Sequence, residues 1–241
     1  MDIIEKILRD FIKQLNKNIE YKLIPAGKNS FNNYECNIYN EISFQHELGK
    51  YIEKLGYKVL YEKNMYDNKR KEHKNGHDWV KKEVDLVLIK NNEKFAIELK
   101  FSKGENARTP ENMYDFIKDI KFMEQVKTFR KFTNVYNFII VNSQKYYKSE
   151  LNNNKKSNKY DIYKLFRIKS KNKNLREYSI PKKPTDFSCY CKPTGIKKDI
   201  EFVLDTKYSG NWEILLNNEQ DDDKKIFQYR FILINHNKYT L

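Results

Sequence analysis

The sequence predicts an α/β protein with a mixed central sheet flanked by helices. Two observations lead there. Between Ser43 and Val141 the apolar periodicity runs in the order helix, strand, strand, strand, helix, strand. The second and third strands are separated by Asn91-Asn92, a pair suited to a hairpin turn. A chain of 241 residues is close to the upper size that one hydrophobic core organises. We therefore read a single domain with a helix over 2–15, a core over about 42–142 and a C-terminal β-rich extension over about 160–241.

Each element has its own signal. Ile4, Ile7, Leu8, Phe11, Ile12 and Leu15 recur at helical spacing, which predicts an amphipathic N-terminal helix. From Asn16 to Asn40 no period is sustained, and only a short strand around Tyr21 to Ile24 is expected. Ser43 precedes Phe44, Leu48, Tyr51, Ile52 and Leu55 at helical spacing, and Gly56 is a natural stop. Tyr57, Val59 and Tyr61 then alternate with polar neighbours as a strand with one buried face. Asn64 to Lys82 is polar and basic, a long loop or excursion. Val84 to Ile89 and Phe95 to Phe101 form the hairpin. From Pro110, the residues Met113, Phe116, Ile117, Ile120 and Met123 mark a helix, and Tyr136 to Val141 reads as a buried strand. Further on, Ile200 to Leu204, Trp212 to Leu216 and Tyr229 to Ile234 read as strands.

Composition excludes several classes. Hydrophobic residues are 39% of the chain and aromatic residues 15%, too many for a chain that stays unfolded despite its charge. No run approaches the roughly 18 apolar residues that span a bilayer, and Met1 to Leu8 mixes Asp2, Glu5 and Lys6 into its apolar residues. Neither a membrane span nor secretion is expected. Three cysteines, Cys36, Cys189 and Cys191, offer no disulfide framework and fit a reducing cytoplasm. The Cys189/Cys191 pair lacks a second pair at zinc-site spacing. The formal charge of +14 and a pI near 9.4 favour a polyanionic partner, nucleic acid first. The same lysine excess, with abundant Asn, Ile and Tyr, also suits an AT-rich genome.

The chemistry lies between Glu83 and Lys100. Asp85 sits inside one strand of the hairpin, and Glu98 and Lys100, two apart on the other, leave the same face of the sheet. Two carboxylates brought together among Leu86, Val87, Ile97 and Leu99 repel each other unless a cation or proton intervenes. Mg²⁺ suits such a pair, because it prefers carboxylate oxygens, keeps waters and accepts phosphate oxygens; Mn²⁺ can substitute. Such an ion would activate water for phosphodiester hydrolysis, with Lys100 orienting or deprotonating that water. The competing reading is a charged stripe on an edge strand, with Asp85 paired to Lys100 across the hairpin.

Asp85, then twelve residues, then Glu98-Leu99-Lys100 between hydrophobic strands resembles the PD-(D/E)xK nuclease superfamily, to which restriction endonucleases belong. The similarity covers Ser43 to Val141. It implies a restriction-endonuclease-like αβββαβ core, and it maps the superfamily's helix-borne acid onto Glu47, completing a set of Asp85, Glu98, Lys100 and Glu47 with Asp85, Glu98 and Glu47 as metal ligands. Val84 stands where the motif's name has proline. Glu83 is a poorer candidate than Asp85, being at the start of its strand. Gln125 and Glu124 lie where related nucleases often place a supporting polar residue.

Contacts to nucleic acid are expected from Lys69, Arg70, Lys71, Lys74, Lys81 and Lys82 before the first acidic strand, and from Lys103 and Arg108 after the second. His73 and His77 are read as solvated loop residues, because Asn75-Gly76 interrupts any helix that would present both. Tyrosines among lysines from Tyr146 to Tyr178 suit base stacking or a wet edge of the fold equally. Asp221 to Asp223 reads as a solvated turn. The leading expectation is a Mg²⁺-dependent DNA endonuclease acting on double-stranded DNA, plausibly in defence. It would be a homodimer if it cuts both strands. A basic nucleic-acid-binding protein that keeps the fold, or a subunit active only with a partner, is the alternative.

Overall fold

The computed structural model describes residues 2–17, 22–23, 37–38, 40–65, 79–102, 109–141, 177–180, 204, 208–218 and 227–238. Helix α1 spans Ile3–Lys17; β1 (Lys22–Leu23) and β2 (Asn37–Ile38) pair in parallel. Helix α2 (Glu41–Lys54) is followed by β3 (Lys58–Asn64), β4 (Glu83–Lys90), β5 (Glu93–Ser102), α3 (Thr109–Phe129) and β6 (Asn134–Val141). These reproduce the expected order of helix, three strands, helix and strand. Next come β7 (Glu177–Ile180), β8 (Tyr208–Asn211), β9 (Glu213–Asn218), β10 (Phe227–Asn235) and a 3₁₀ turn at His236–Lys238.

Six strands form one mixed sheet in the order β3-β4-β5-β6-β10-β9, in which only β5 and β6 are parallel neighbours. The parallel pair follows from α3, which carries the chain across the sheet between them. Helices cover both faces. Phe11, Phe44, Leu48 and Ile52 of α1 and α2 pack on Leu86, Ile97, Leu99, Phe138 and Phe231. On the other face Phe122, Met123 and Val126 of α3 pack on Val87, Ala96 and Val135. The alternation of side chains along β4 and β5 thus feeds two cores, which is why both strands read as nearly continuous apolar runs.

Local signals set the boundaries. Helix α2 starts two residues before Ser43: Asn40 is the N-cap, its Oδ1 accepting Ser43 N–H at 2.8 Å while Ser43 Oγ accepts Asn40 N–H at 3.0 Å. Gly56, at φ +81°, ends it. Asn91 and Asn92 both have positive φ, 50° and 64°, as a two-residue type I′ hairpin turn requires. The expected strand at Ile200 to Leu204 lies largely outside the described residues, of which Leu204 is buried and not in a strand.

The C-terminal strands are part of the main sheet: β10 pairs with β6 and carries β9 at its outer edge. Polar contacts lock this end. Partly exposed Arg9 donates from Nη1 to both carboxylate oxygens of Glu213 of β9, each at 2.8 Å. Tyr136 O–H donates to Asp2 at 2.8 Å, and Asn134 donates to Asn235 at 2.8 Å. His236, 1% exposed, lies between Asn137 (2.6 Å from Nε2) and the Tyr208 hydroxyl (3.0 Å from Nδ1), and that hydroxyl donates to Glu124 at 3.0 Å. Burial, with Lys127 adding to it, pushes the His236 pKa down to about 3, so the imidazole is neutral. Among the described residues no helix is long and apolar enough to cross a membrane.

Candidate metal centre

Asp85 and Glu98 come together at the start of β4, on the face covered by α3. The β4–β5 ladder runs from Lys90 opposite Glu93 to Leu86 opposite Ile97 and ends at that pair. In place of a further backbone rung, the Asp85 carboxylate accepts the Leu99 N–H at 2.6 Å. That bond fixes the carboxylate against β5, next to Glu98. From the other side, Gln45 Nε2 donates to the Asp85 carbonyl at 2.7 Å and to Glu62 at 2.8 Å. Glu62 has φ 48°, a conformation costly for a residue with a side chain, at the point of β3 that lies across from Asp85.

Both acids are buried, Asp85 at 8% and Glu98 at 1% exposure. A third, Asp119 from α3, is 6% exposed and joins them. Between the three lies the Lys81 ammonium, in contact with Glu98, 3.7 Å from Asp85 and 3.9 Å from Asp119. Burial, then repulsion from Asp119 and Asp85, raises the Glu98 pKa well above the carboxylate range, and Lys81 only partly offsets this. Burial likewise raises Asp119 to about 7 against the pull of Lys81 and Lys100. Asp85 is raised by burial, moderated by Lys81 and the Leu99 N–H. For Lys81 itself, attraction from Glu98, Asp119 and Asp85 overrides the burial that opposes its charge.

Lys100 has a different nearest partner. Its ammonium is 3.9 Å from Glu41, the first residue of α2, whose carboxylate also accepts the Phe101 N–H at 2.9 Å. Burial depresses the Lys100 pKa, but Asp119, Glu41 and Asp115 outweigh it and leave it raised. Asp85 has Lys81 as its ion-pair partner, at 3.7 Å, in place of the Lys100 of the competing reading. Glu47, expected as the helix-borne acid, is a buried residue of α2. It lies about 200° around α2 from Gln45, and its carboxylate pairs with Lys50 at 3.2 Å. Glu41 and Gln45, four residues apart and hence on one face of α2, make polar contacts with the acidic strands.

Of the residues expected to meet nucleic acid, Lys82 is exposed, whereas Lys81 is held inside the acidic group. Lys69, Arg70, Lys71, Lys74, Lys103 and Arg108 lie outside the described residues. Glu83 is exposed at the edge of the strand. Gln125 accepts the Val80 N–H at 3.2 Å and so steadies the segment bearing Lys81, while Glu124 is engaged by Tyr208 and Lys121. Sequence reasoning passed over Glu41 and Asp119. Asp119 had a legible signal: it interrupts the buried stripe of Phe116, Ile120 and Met123 in a helix that covers the sheet.

Among the described residues no three His, Cys, Asp or Glu side chains stand arranged around one metal position. Yet the donor set suits a hard cation. Oε2 of Glu98 is buried without a hydrogen-bond partner among the described residues, and the carboxylates already surround a positive charge. A cleft of about 580 Å³ runs between β3, β4 and the end of α3, lined by Leu60, Ile89, Lys94, Arg130 and Phe132. None of its lining residues is a carboxylate, so the acidic group is the better place for metal chemistry. No protein family, curated protein or solved structure matches this chain.

Proposed function

We propose that this protein is a Mg²⁺-dependent nuclease of the PD-(D/E)xK kind, with a restriction-endonuclease-like core, hydrolysing phosphodiester bonds in DNA. The observation that carries the reading is the meeting of two buried acids, Asp85 and Glu98, around a positive charge at the end of a β-hairpin, with Lys100 two residues further along. A net acidic centre inside a chain of charge +14 is costly unless it serves a cation. Asp85 and Glu98 would hold the metal, which, when bound, supplies an activated water and neutralises charge on the phosphate. Lys100, charged near neutrality, is suited to orienting that water and stabilising phosphate charge rather than taking a proton. Glu41 holds the Lys100 ammonium in place from α2. The net charge of +14 would supply the electrostatic attraction for the nucleic-acid backbone.

One observation favours the alternative of a nucleic-acid-binding protein without chemistry: Lys81 already neutralises part of the acidic centre. Cleavage of supercoiled plasmid, linear duplex, single-stranded DNA and RNA with Mg²⁺, Mn²⁺ or EDTA separates the two readings. Metal-dependent cutting that falls by about two orders of magnitude or more in Asp85→Ala and Lys100→Ala is expected, the rate equivalent of a few kcal/mol. Salt-sensitive binding with no cutting under any metal would establish the binding protein instead.

A further inference from the structure

We propose that Lys81 holds the place of a divalent cation, and that Asp119 of α3 becomes a third protein ligand of the metal when that ammonium is displaced. The proposal rests on the metal-dependent reading above and extends it to two residues outside the D-x(n)-E-x-K motif.

The geometry points to exchange. The Lys81 ammonium contacts Glu98 and lies 3.7 Å from Asp85 and 3.9 Å from Asp119, and so stands among three carboxylates, closest to Glu98. Lys81, with Lys100 acting on Asp119, offsets only part of the repulsion within the group, so Glu98 and Asp119 keep raised pKa values. A divalent ion taken up among the same carboxylates would compensate better, with Asp85 and Asp119 drawing in from the 3.7 and 3.9 Å at which they now face the ammonium. The buried Glu98 Oε2, lacking a hydrogen-bond partner among the described residues, is a ligand atom that Lys81 does not use. The backbone around Lys81 is tied down independently of its side chain. Val80 N–H donates to Gln125 at 3.2 Å, the Lys82 carbonyl accepts the Met65 N–H at 2.7 Å, and Trp79 stands edge-on to Phe122. Only the flexible four-carbon stem has to swing for the ammonium to leave, and it is already 31% exposed. Asp119 comes from a helix packed on the sheet, so it supplies a ligand without a change of fold.

The test uses the full chain and Mn²⁺ alone, its binding followed by the electron paramagnetic resonance signal of the free ion. If the ammonium competes with metal, Lys81→Met binds Mn²⁺ about tenfold more tightly than wild type, because the binding-competent state no longer has to be vacated. Asp119→Asn binds about tenfold or more weakly, as expected for a lost ligand. Glu98→Gln, which removes a motif ligand, loses binding altogether. A second measurement needs no variant: Mg²⁺ raises the acetylation rate of Lys81 in wild type, read by mass spectrometry, while that of Lys50 stays unchanged. Equal Mn²⁺ affinity in wild type and Lys81→Met, with Lys81 acetylation indifferent to Mg²⁺, overturns the exchange. Unaltered affinity in Asp119→Asn overturns the ligand assignment. In either case loss of Mn²⁺ by Glu98→Gln leaves the nuclease reading standing. Absence of Mn²⁺ uptake by all four proteins overturns both.

Discussion

At the scale of single residues, the acidic centre is a place where stability is given up. Glu98 is buried with its charge disfavoured by the dielectric and by Asp119 and Asp85. Replacing it with the neutral isostere should therefore stabilise the metal-free protein. We expect Glu98→Gln to raise the free energy of unfolding by about 1 kcal/mol or more at pH 8 without divalent ions, measured by urea denaturation. A lower stability than wild type would mean that the Lys81–Glu98 pair contributes more than the burial costs. His236 gives a prediction of definite sign. Its folded pKa of about 3 lies below the ordinary value of 6.5, so below pH 6.5 the unfolded chain binds a proton that the folded one does not. Stability from this residue is complete above pH 6.5 and is lost as pH falls toward 3. Relative to His236→Gln, wild type should lose about 2 kcal/mol between pH 7 and pH 5 in urea titrations. A constant difference between the two proteins would show that the imidazole titrates normally.

At the scale of elements, the centre is assembled by how α2 and the hairpin begin and turn. The capping box of Asn40 and Ser43 starts α2 one residue before Glu41, the side chain that faces Lys100. Asn40→Ala should cost about 1 kcal/mol of stability in chemical denaturation. It should also weaken the hold on Lys100, because Glu41 occupies the first turn. A cost confined to a few tenths would show that packing of Phe44 and Leu48 alone sets the start of the helix. The hairpin was legible because Asn-Asn at its tip takes left-handed backbone at small cost and two apolar runs flank it. The start of α2 was less legible. Ser43 looked like the opening residue because its neighbours are apolar, whereas the cap is the polar Asn40 three residues earlier.

At the scale of the whole molecule, a strongly basic chain gathers several acids at one place. The chain carries +14, yet Asp85, Glu98, Asp119, Asp115 and Glu41 gather about Lys81 and Lys100. A positive net charge draws in a polyanion, and a group of acids draws in a cation. Under the proposed function, DNA affinity should fall with salt with a log–log slope of about −4.5 to −7, for roughly five to eight phosphate contacts. Fluorescence anisotropy with duplex DNA measures it, and a slope near zero would remove phosphate neutralisation as the basis of binding. The C-terminal strands belong to the same body as the centre. Strand β10 joins β6, the parallel neighbour of the strand that carries Glu98, and α1 is tied to β9 through Arg9 and Glu213.

Local pattern is the part of this protein that can be read along the chain. Period, turn residues and β-branched runs placed α1, α2, β3 to β6 and α3 in order, and the spacing from Asp85 to Glu98 and Lys100 marked the acidic strands. These depend on neighbours within a few residues, where geometry follows from backbone sterics. Which charges meet was decided only by the tertiary structure. Glu41 meets Lys100 and Glu47 meets Lys50 because the rotation of α2 is set by packing Phe44, Leu48 and Ile52 into the sheet. Asp119 arrives from a helix twenty-one residues beyond Glu98 in sequence, and Lys81 turns inward because three buried carboxylates offer it more than water does. Long-range electrostatics in a dry interior depends on three-dimensional distance, and spacing along the chain does not encode that distance.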